Sequence, residues 1–514
     1  MDLDVSFTLE GGPPDVTGEI SLKSTLTASP ESGEYQAKAL ELEADLKGAQ
    51  LPGGQAKFSL SADVGANLTE QTAKFENLVI KLLGLEVAGA LAIANLSSNP
   101  QLGGNLAIAN FNPKKLLEQL GQSPIETTDP KALTSLSVQT KVGGNAANIS
   151  LSDLVVKLDD SALQGSAAYG SGISFDLDVD GIDADRYLPP SGATDTASSE
   201  SSADEADIPV EALRALDVNG KFRLGKLKIS NLNLTDISLK VKAKDGLINL
   251  NPIAAKLYDG SYAGNIVLDA RGDTPKLAVD EKLSGVQIGP LLVDLNGEEP
   301  LSGVGNVQAK LTAVGANPQA MKKTLNGSAA FSFTDGTLNG INIGEMIRNA
   351  QASILGGSAD AKGPRKTDFA ELGGTAQIKN GLVTNNDFAA KSPLLRIEGK
   401  GTADLPTEAL DYRVKTTLVA TVEGQGGGEL VDLTGIAIPV RVTGTFSKPS
   451  YGVDMEALAG IIAKSKTEDL LTGDVGDLTE SAGELIKGGA EGVGEVLKGS
   501  AEGVGNLLEG LLGN

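Results

Sequence analysis

Asp176, Asp178, Asp180 and Gly181 form the D-x-D-x-D-G opening of a calcium loop. Such a loop closes with a bidentate carboxylate at its twelfth position. That position here is Tyr187, and Phe175, Leu177 and Val179 alternate with the acids as in an ordinary strand. The acids therefore read as the wet face of a strand, and no metal site is expected. Gly303-Val304-Gly305 and the glycine run Gly424–Gly428 invite a phosphate-loop reading. Neither precedes a Lys-Ser/Thr pair or a clean helix, so that geometry is missing and both read as loops or bulges. The chain has no His and no Cys. This excludes thiol nucleophiles, Cys/His zinc sites and His-based triads. Carboxylate-only chemistry, Ser-Lys pairs and oxygen-ligand metals stay open, but no motif supports them. The expectation is a protein that is not an enzyme and needs no cofactor. Sequons such as Asn67-Leu68-Thr69 occur as often as a chain rich in Asn, Ser and Thr produces by chance.

The elements carry more information than these motifs. Between Lys226 and Ala270 the apolar residues fall on alternate positions: Leu227, Ile229, Leu232, Leu234, Ile237, Leu239, Val241 and Ala243. Ile248 and Leu250 follow Asp245-Gly246, and Tyr262, Ile266 and Leu268 follow Asp259-Gly260. Period-two alternation makes strands with one greasy and one wet face. Asp-Gly supplies the positive φ angles that close tight hairpins. The segment is an amphipathic antiparallel meander.

The rest of the chain fits a β-rich body. Strand patterns fill 1–188, with Lys114–Leu120 as a short helix. GALAIANL (89–96) and GNLAIANFNP (104–113) form a local repeat. Residues 189–209 almost lack large apolar side chains and read as a flexible, acidic, Ser-rich linker or long loop. From 210 to 455 strands resume with eight Asn-Gly or Asp-Gly signals, which argues for sequential hairpins. Short helices are expected at Gly289–Leu295, Pro318–Leu325 and Ile343–Ile354. The tail, 456–514, follows helical spacing with an 11-residue repeat, GGAEGVGEVLK and GSAEGVGNLLE. Membrane-surface helices carry Lys and Arg on the polar face. Glu480–Asn514 instead holds six Glu and two Lys, which favours a cap on the sheet or a loose tail.

Of the 514 residues 40% are hydrophobic, enough to fold, while aromatics are 4% and Trp is absent. The apolar surface must be largely aliphatic. The formal net charge of −24 argues against nucleic acid, which needs cations to displace counterions. It also repels anionic lipid headgroups. No stretch is long and apolar enough to span a membrane as a helix, and MDLDVSFTLEGG lacks the features of a signal peptide. Leu3, Val5, Phe7 and Leu9 alternate from the first residues, as if the chain opened inside a longer protein.

Several segments resemble a known family. KAKDGLINLNPIAAKLYDGSYAGNIVLDA (242–270), LSGVQIGPLLVDLNGEEPLSGVGNVQAKL (283–311) and LNGSAAFSFTDGTLNGINIGEMIR (325–348) resemble, in order, the C-terminal region of the AsmA family. DLDVDGIDADRYLPP (176–190) and NLAIANFNPKKLLEQLG (105–121) are similar to family segments too. The resemblance runs from residue 1 to about 455. It implies a β-rich periplasmic body of the Gram-negative envelope, related to bridge-like lipid transfer proteins. It also implies that a longer protein is anchored in the inner membrane by an N-terminal helix absent from this sequence.

The expected fold is mainly β: a long curved antiparallel sheet forming an apolar groove, with short helices and a helical C-terminal tail. With ~20 strands spaced ~4.8 Å apart such a groove would extend roughly 100 Å. The resemblance implies phospholipids as the bound partner and transport between inner and outer membrane surfaces, with envelope proteins as further partners. The candidate groove residues are Leu227, Ile229, Leu232, Leu234, Ile237, Leu239, Val241, Ile266 and Leu268, acting by shape and greasiness. A scaffold that influences outer-membrane protein assembly is the alternative. It needs the same strands to close on a second sheet, the commonest fate of alternating strands.

Overall fold

The computed structural model describes residues 1–11, 15–123, 125–190, 207–340, 342–343, 365–393, 395–419, 437–446 and 448–454. The expected tail at 456–514, the Gly424–Gly428 run, most of the 189–209 linker and nearly all of the 343–354 helix lie outside them. The described chain is mainly β, with 25 strands and four short α-helices. It divides into two compact units: Met1–Ser199 with Ala215–Asp245, and Glu200–Arg214 with Gly246–Asn514.

Unit 1 is an open sheet. Its strands are β1 (Asp2–Glu10), β2 (Thr17–Ser29), β3 (Glu34–Lys47), β4 (Gln55–Asn67), β5 (Thr72–Leu82), β6 (Leu85–Ala94) and β7 (Gln101–Phe111). Then come β8 (Leu136–Gly144), β9 (Ile149–Leu158), β10 (Ser161–Tyr169), β11 (Ile173–Val179), β12 (Ile182–Asp183), β13 (Asp217–Ile229) and β14 (Leu232–Lys244). From β1 to β11 each strand pairs antiparallel with the next. β11 and β12 then run parallel to β13, and β13 and β14 close an antiparallel hairpin. Ser230 and Asn231 turn that hairpin, both with positive φ (49° and 62°), the primed geometry that matches strand twist. The repeat at 89–96 and 104–113 lies on the neighbours β6 and β7.

Bulges bend this sheet. β3, β5 and β9 each carry one residue more than their neighbours, near Ala39, Asn77 and Asp153. All three residues have φ near +50°. Asp63 on β4 holds two of the bulges: it accepts from the Ala39 N–H (2.9 Å) and from Asn77 Nδ2 (2.8 Å). Those two bonds keep its carboxyl below the usual carboxylate range.

The one α-helix among the described residues of this unit, α1 (Pro113–Gln119), starts at Asn112, whose side chain accepts from the Lys115 N–H, with Pro113 in its first turn. Asparagine caps an otherwise unpaired N–H, and proline has none to lose. A corner follows β12. The Arg186 guanidinium pairs with Asp129 (2.7 Å) and Asp160 (2.8 Å). The Tyr187 hydroxyl donates to Asp159 (2.9 Å), which also accepts the N–H groups of Leu133, Thr134 and Ser135.

Unit 2 contains α2 (Val210–Arg214), β15 (Leu247–Leu257), β16 (Gly260–Asp269), β17 (Lys276–Gln287), α3 (Ile288–Asn296), β18 (Val304–Val314), α4 (Pro318–Thr324) and β19 (Asn326–Asn339). β20 (Lys366–Lys379), β21 (Leu382–Lys391), β22 (Leu395–Asp404), β23 (Ala409–Leu418), β24 (Ala437–Thr445) and β25 (Pro449–Val453) complete it. Every consecutive pair from β15 to β25 is antiparallel. α4 repeats the Asn-Pro start of α1: Asn317 accepts from the Ala320 N–H and Pro318 opens the helix. α3 ends on Gly297 in the left-handed conformation, as helices commonly do.

This unit has closed cores. Ile288 and Leu292 of α3 bury against Val286, Leu301 and Phe369, ringed by Leu257, Leu283, Leu291, Phe333, Leu338 and Leu372. Tyr258 joins the ring, and its hydroxyl donates to Asp294 (2.7 Å). A second cluster joins Ala390, Leu395 and Ile397 with Phe388, Val414 and Ile438.

The turn signals divide by environment. Asp245-Gly246 and Asn380-Gly381 turn with positive φ as expected. Asn296-Gly297 ends a helix instead. The turn expected at Asp259-Gly260 sits one residue earlier, on Tyr258 and Asp259. Asn219-Gly220 lies inside β13, where a Cβ on Gly220 would fall 2.2 Å from the ring of Phe175. The glycine there serves a close approach, not a turn.

Candidate apolar binding face

Register turns the alternation of unit 1 into rows. Val5, Leu22, Leu42, Leu60, Ile80, Val87, Ile108, Val138, Val156, Leu163, Val179, Leu224 and Ile237 stand directly opposite one another from β1 to β14. The row is unbroken and wholly aliphatic. A second row runs Val64, Phe75, Leu91, Gly104, Val142, Leu151, Ala167, Phe175, Gly220 and Val241. The bulges make this possible. Ala37 precedes the Ala39 bulge and Leu40 and Leu42 follow it, so the extra residue keeps all three on the greasy face. Without it every side chain beyond would switch sides.

Nothing described covers these rows. Of the thirteen residues in the first row, only Leu224 is buried and the other twelve are half-buried. Both hydrophobic clusters of the described residues lie in unit 2. Every substantial contact between strands of unit 1 is with a sheet neighbour. An aliphatic face beneath a second layer would be buried throughout. With strands ~4.8 Å apart, the face measures roughly 60 Å across the unit.

The opposite face is charged. Cross-strand ion pairs join Lys57 to Asp45 (3.3 Å), Lys141 to Asp153 (2.8 Å), and Arg223 to Asp176 (2.6 Å) and Asp178. The acids of the calcium-like motif are thus matched by Arg223 and Lys221, while Asp180 accepts the N–H groups of Ala162 and Gly181. Pairs this exposed add little to stability, so they keep the face wet more than they hold the sheet.

The candidate residues from the sequence fall into three places. Ile237, Leu239 and Val241 lie on β14 opposite Leu224, Phe222 and Gly220, within the rows. Leu227 opposes Leu234 and Ile229 opposes Leu232 at the far end of the hairpin, beyond a kink that skips Gly225 and Asp236. All seven are accessible, Ile229 at 40%. Ile266 and Leu268 belong to unit 2, where Ile266 stands between Leu250 and Val279, and Leu268 between Ile248 and Leu277.

That stretch of unit 2 holds a charged group that no sequence motif marks. Glu281 sits in an apolar row, between Gly264 and Ala309. The Tyr262 hydroxyl donates to its carboxylate. Burial and the neighbouring carboxylate push the Tyr262 pKa upward, so it stays a donor. A hollow of about 710 Å³ in unit 2 opens on the other face, lined by Gln308, Ser332, Thr334 and Thr375 with Lys282, Glu371 and Lys391. Its lining is mixed, with Ala330, Phe331, Phe333 and Ala389 beside these polar groups.

The AsmA family profile matches residues 1–388. The chain belongs to the AsmA family. Protein AsmA of Escherichia coli (strain K12) is 23% identical over 253 residues, 48% of this chain and 40% of that protein. AsmA family protein YhjG of the same strain is 24% identical over 246 residues, 46% of this chain and 33% of that protein. The matched stretches thus span less than half of each relative. Among the described residues no helix is long and apolar enough to cross a membrane.

Proposed function

We propose that this AsmA family chain holds phospholipid acyl chains against its apolar strand face and contributes to lipid transport between the inner and outer membranes. In this reading the body works in the periplasm of a Gram-negative envelope, its headgroup side toward water. One observation carries it: twelve of the thirteen aliphatic residues in the Val5-to-Ile237 row are accessible, with no second layer described above them.

The energetics favour such an occupant. Burying a methylene contributes about 0.8 kcal/mol, so a chain of roughly 16 carbons gains on the order of 10 kcal/mol before entropy costs. Repulsion between the net charge of −24 and anionic headgroups acts through water and is screened within about 8–10 Å. Rows of Leu, Ile and Val offer no fixed polar contact, which suits a ligand that slides.

Native mass spectrometry of gently purified protein tests this. Wild type should carry phospholipid. A variant with Ile237→Glu, Leu239→Glu and Val241→Glu should fold, by circular dichroism, and lose it. Folded variants with unchanged lipid would reject the face. Lipid-free wild type would favour a scaffold that acts through protein contacts.

A further inference from the structure

Glu281 is the one charged side chain, among the described residues, whose register places it within the apolar rows. Val279 and Leu283 flank it along β17, and Gly264 and Ala309 flank it across the sheet. The site is built to hold it. A Cβ on Gly264 would fall 2.0 Å from Glu281 Oε2 and 2.5 Å from the Tyr262 hydroxyl. The pair therefore leans over the one residue that leaves room for it. Tyr262 is its hydrogen-bond partner, and no cation is paired with it among the described residues. The residue is half-buried, so part of it reaches whatever lies on the face.

An acyl chain laid across a bare carboxylate would desolvate a charge without a partner, which is unfavourable. A cation on the same ligand removes that penalty. Tyr262 occupies one carboxylate oxygen as donor, and a primary ammonium, with three N–H donors and one positive charge, matches what remains.

We propose that Glu281, held by Tyr262, receives the ammonium of an amine-bearing phospholipid headgroup and so makes this point of the face select zwitterionic over purely anionic lipid. The inference rests on the acyl-chain reading and extends it to unit 2, where Leu250, Ile266, Val279 and Leu311 form a half-buried row beside Glu281. The tyrosine hydroxyl fixes the carboxylate, and Gly264 leaves the room that the carboxylate oxygen fills. A headgroup whose only charge is negative meets repulsion at the same place.

The test offers the protein vesicles containing equal amounts of phosphatidylethanolamine and phosphatidylglycerol with identical acyl chains, then reads bound lipid by mass spectrometry. Wild type should retain the ethanolamine lipid in excess, by about tenfold for one charge-assisted hydrogen bond. Glu281→Gln should bring the ratio toward one while total lipid per protein stays unchanged, and Tyr262→Phe should weaken the preference less. Excess free ethanolamine should leave the wild-type ratio unchanged. Loss of the preference under that competition would assign the site to a free amine and overturn the headgroup reading. An even ratio in wild type, or an unchanged excess in Glu281→Gln, would overturn the inference with the acyl reading intact. Absence of lipid from every protein would overturn both.

Discussion

In unit 1 an aliphatic row crosses the sheet from Val5 to Ile237 with one buried member. In unit 2, α3 and the Leu301 and Phe369 segments close over the sheet, and Val286 and Leu292 reach 0% exposure. Both units use antiparallel strands with alternating apolar residues. The difference is whether a described element returns onto the greasy face. Unit 2 therefore has an interior that stabilises it, whereas unit 1 leaves apolar surface free for something else.

Truncation should separate the units most strongly. Leu292→Ala should cost about 3–5 kcal/mol, because it opens a cavity in a closed core. Leu60→Ala should cost only about 1–2 kcal/mol, since a half-buried side chain leaves no sealed void. Hydrogen exchange read by mass spectrometry checks this locally. Protection should collapse across β17 to β20 in the first variant and fall modestly across β3 to β5 in the second. Equal losses would show that unit 1 hides a core of its own.

The next effect depends on pH. Burial raises the Asp159 pKa, but the N–H groups of Thr134, Leu133 and Ser135 and the Tyr187 hydroxyl outweigh it and hold the carboxyl below its ordinary value. A depressed carboxylate stabilises the fold above the unfolded pKa of about 3.9, and the contribution is lost as pH falls through the folded value. Tyr187 is pushed up to about 12 by burial first and Asp159 second. Its contribution is full below about 10 and lost as pH rises through 12. The corner should thus hold between pH 4 and 10 by these shifts. Asp159→Asn should cost about 1 kcal/mol at neutral pH, with a smaller difference from wild type near pH 3. A constant difference across that range in thermal melts would contradict the assignment.

The smallest effect is expected on the polar face. Arg223→Gln removes the partner of Asp176 and Asp178, yet all three are exposed and screened, so melting should not shift measurably. Lipid content should not change either. A loss of lipid in this variant would mean that the charged face takes part in binding.

Much of this was legible in the residues. The alternation from Leu227 to Leu268 marked strands, Lys114–Leu120 and Pro318–Leu325 read as short helices, and Asp245-Gly246 marked a turn. Asn219-Gly220 misled because a close contact with Phe175 needs glycine as much as a turn does. The rows were not legible. Ala39, Asn77 and Asp153 adopt positive φ without glycine, and the parity of the pattern switches silently at each. Leu78 and Phe75, or Leu154 and Leu151, share a face although their spacing is odd. Openness was also beyond the sequence, because strands under a second sheet and strands facing a ligand alternate alike. Glu281 reads as an ordinary surface acid until register sets it between Gly264 and Ala309.

The most direct measurement places a photo-crosslinking amino acid at Leu60 and Leu239 in the rows, and at Lys57 and Lys240 on the opposite face of the same strands, in protein exposed to phospholipid vesicles. The account predicts lipid adducts at Leu60 and Leu239 and few at Lys57 and Lys240. Adducts equal on both faces, or absent from Leu60 and Leu239 in folded protein, would contradict an apolar face that holds acyl chains.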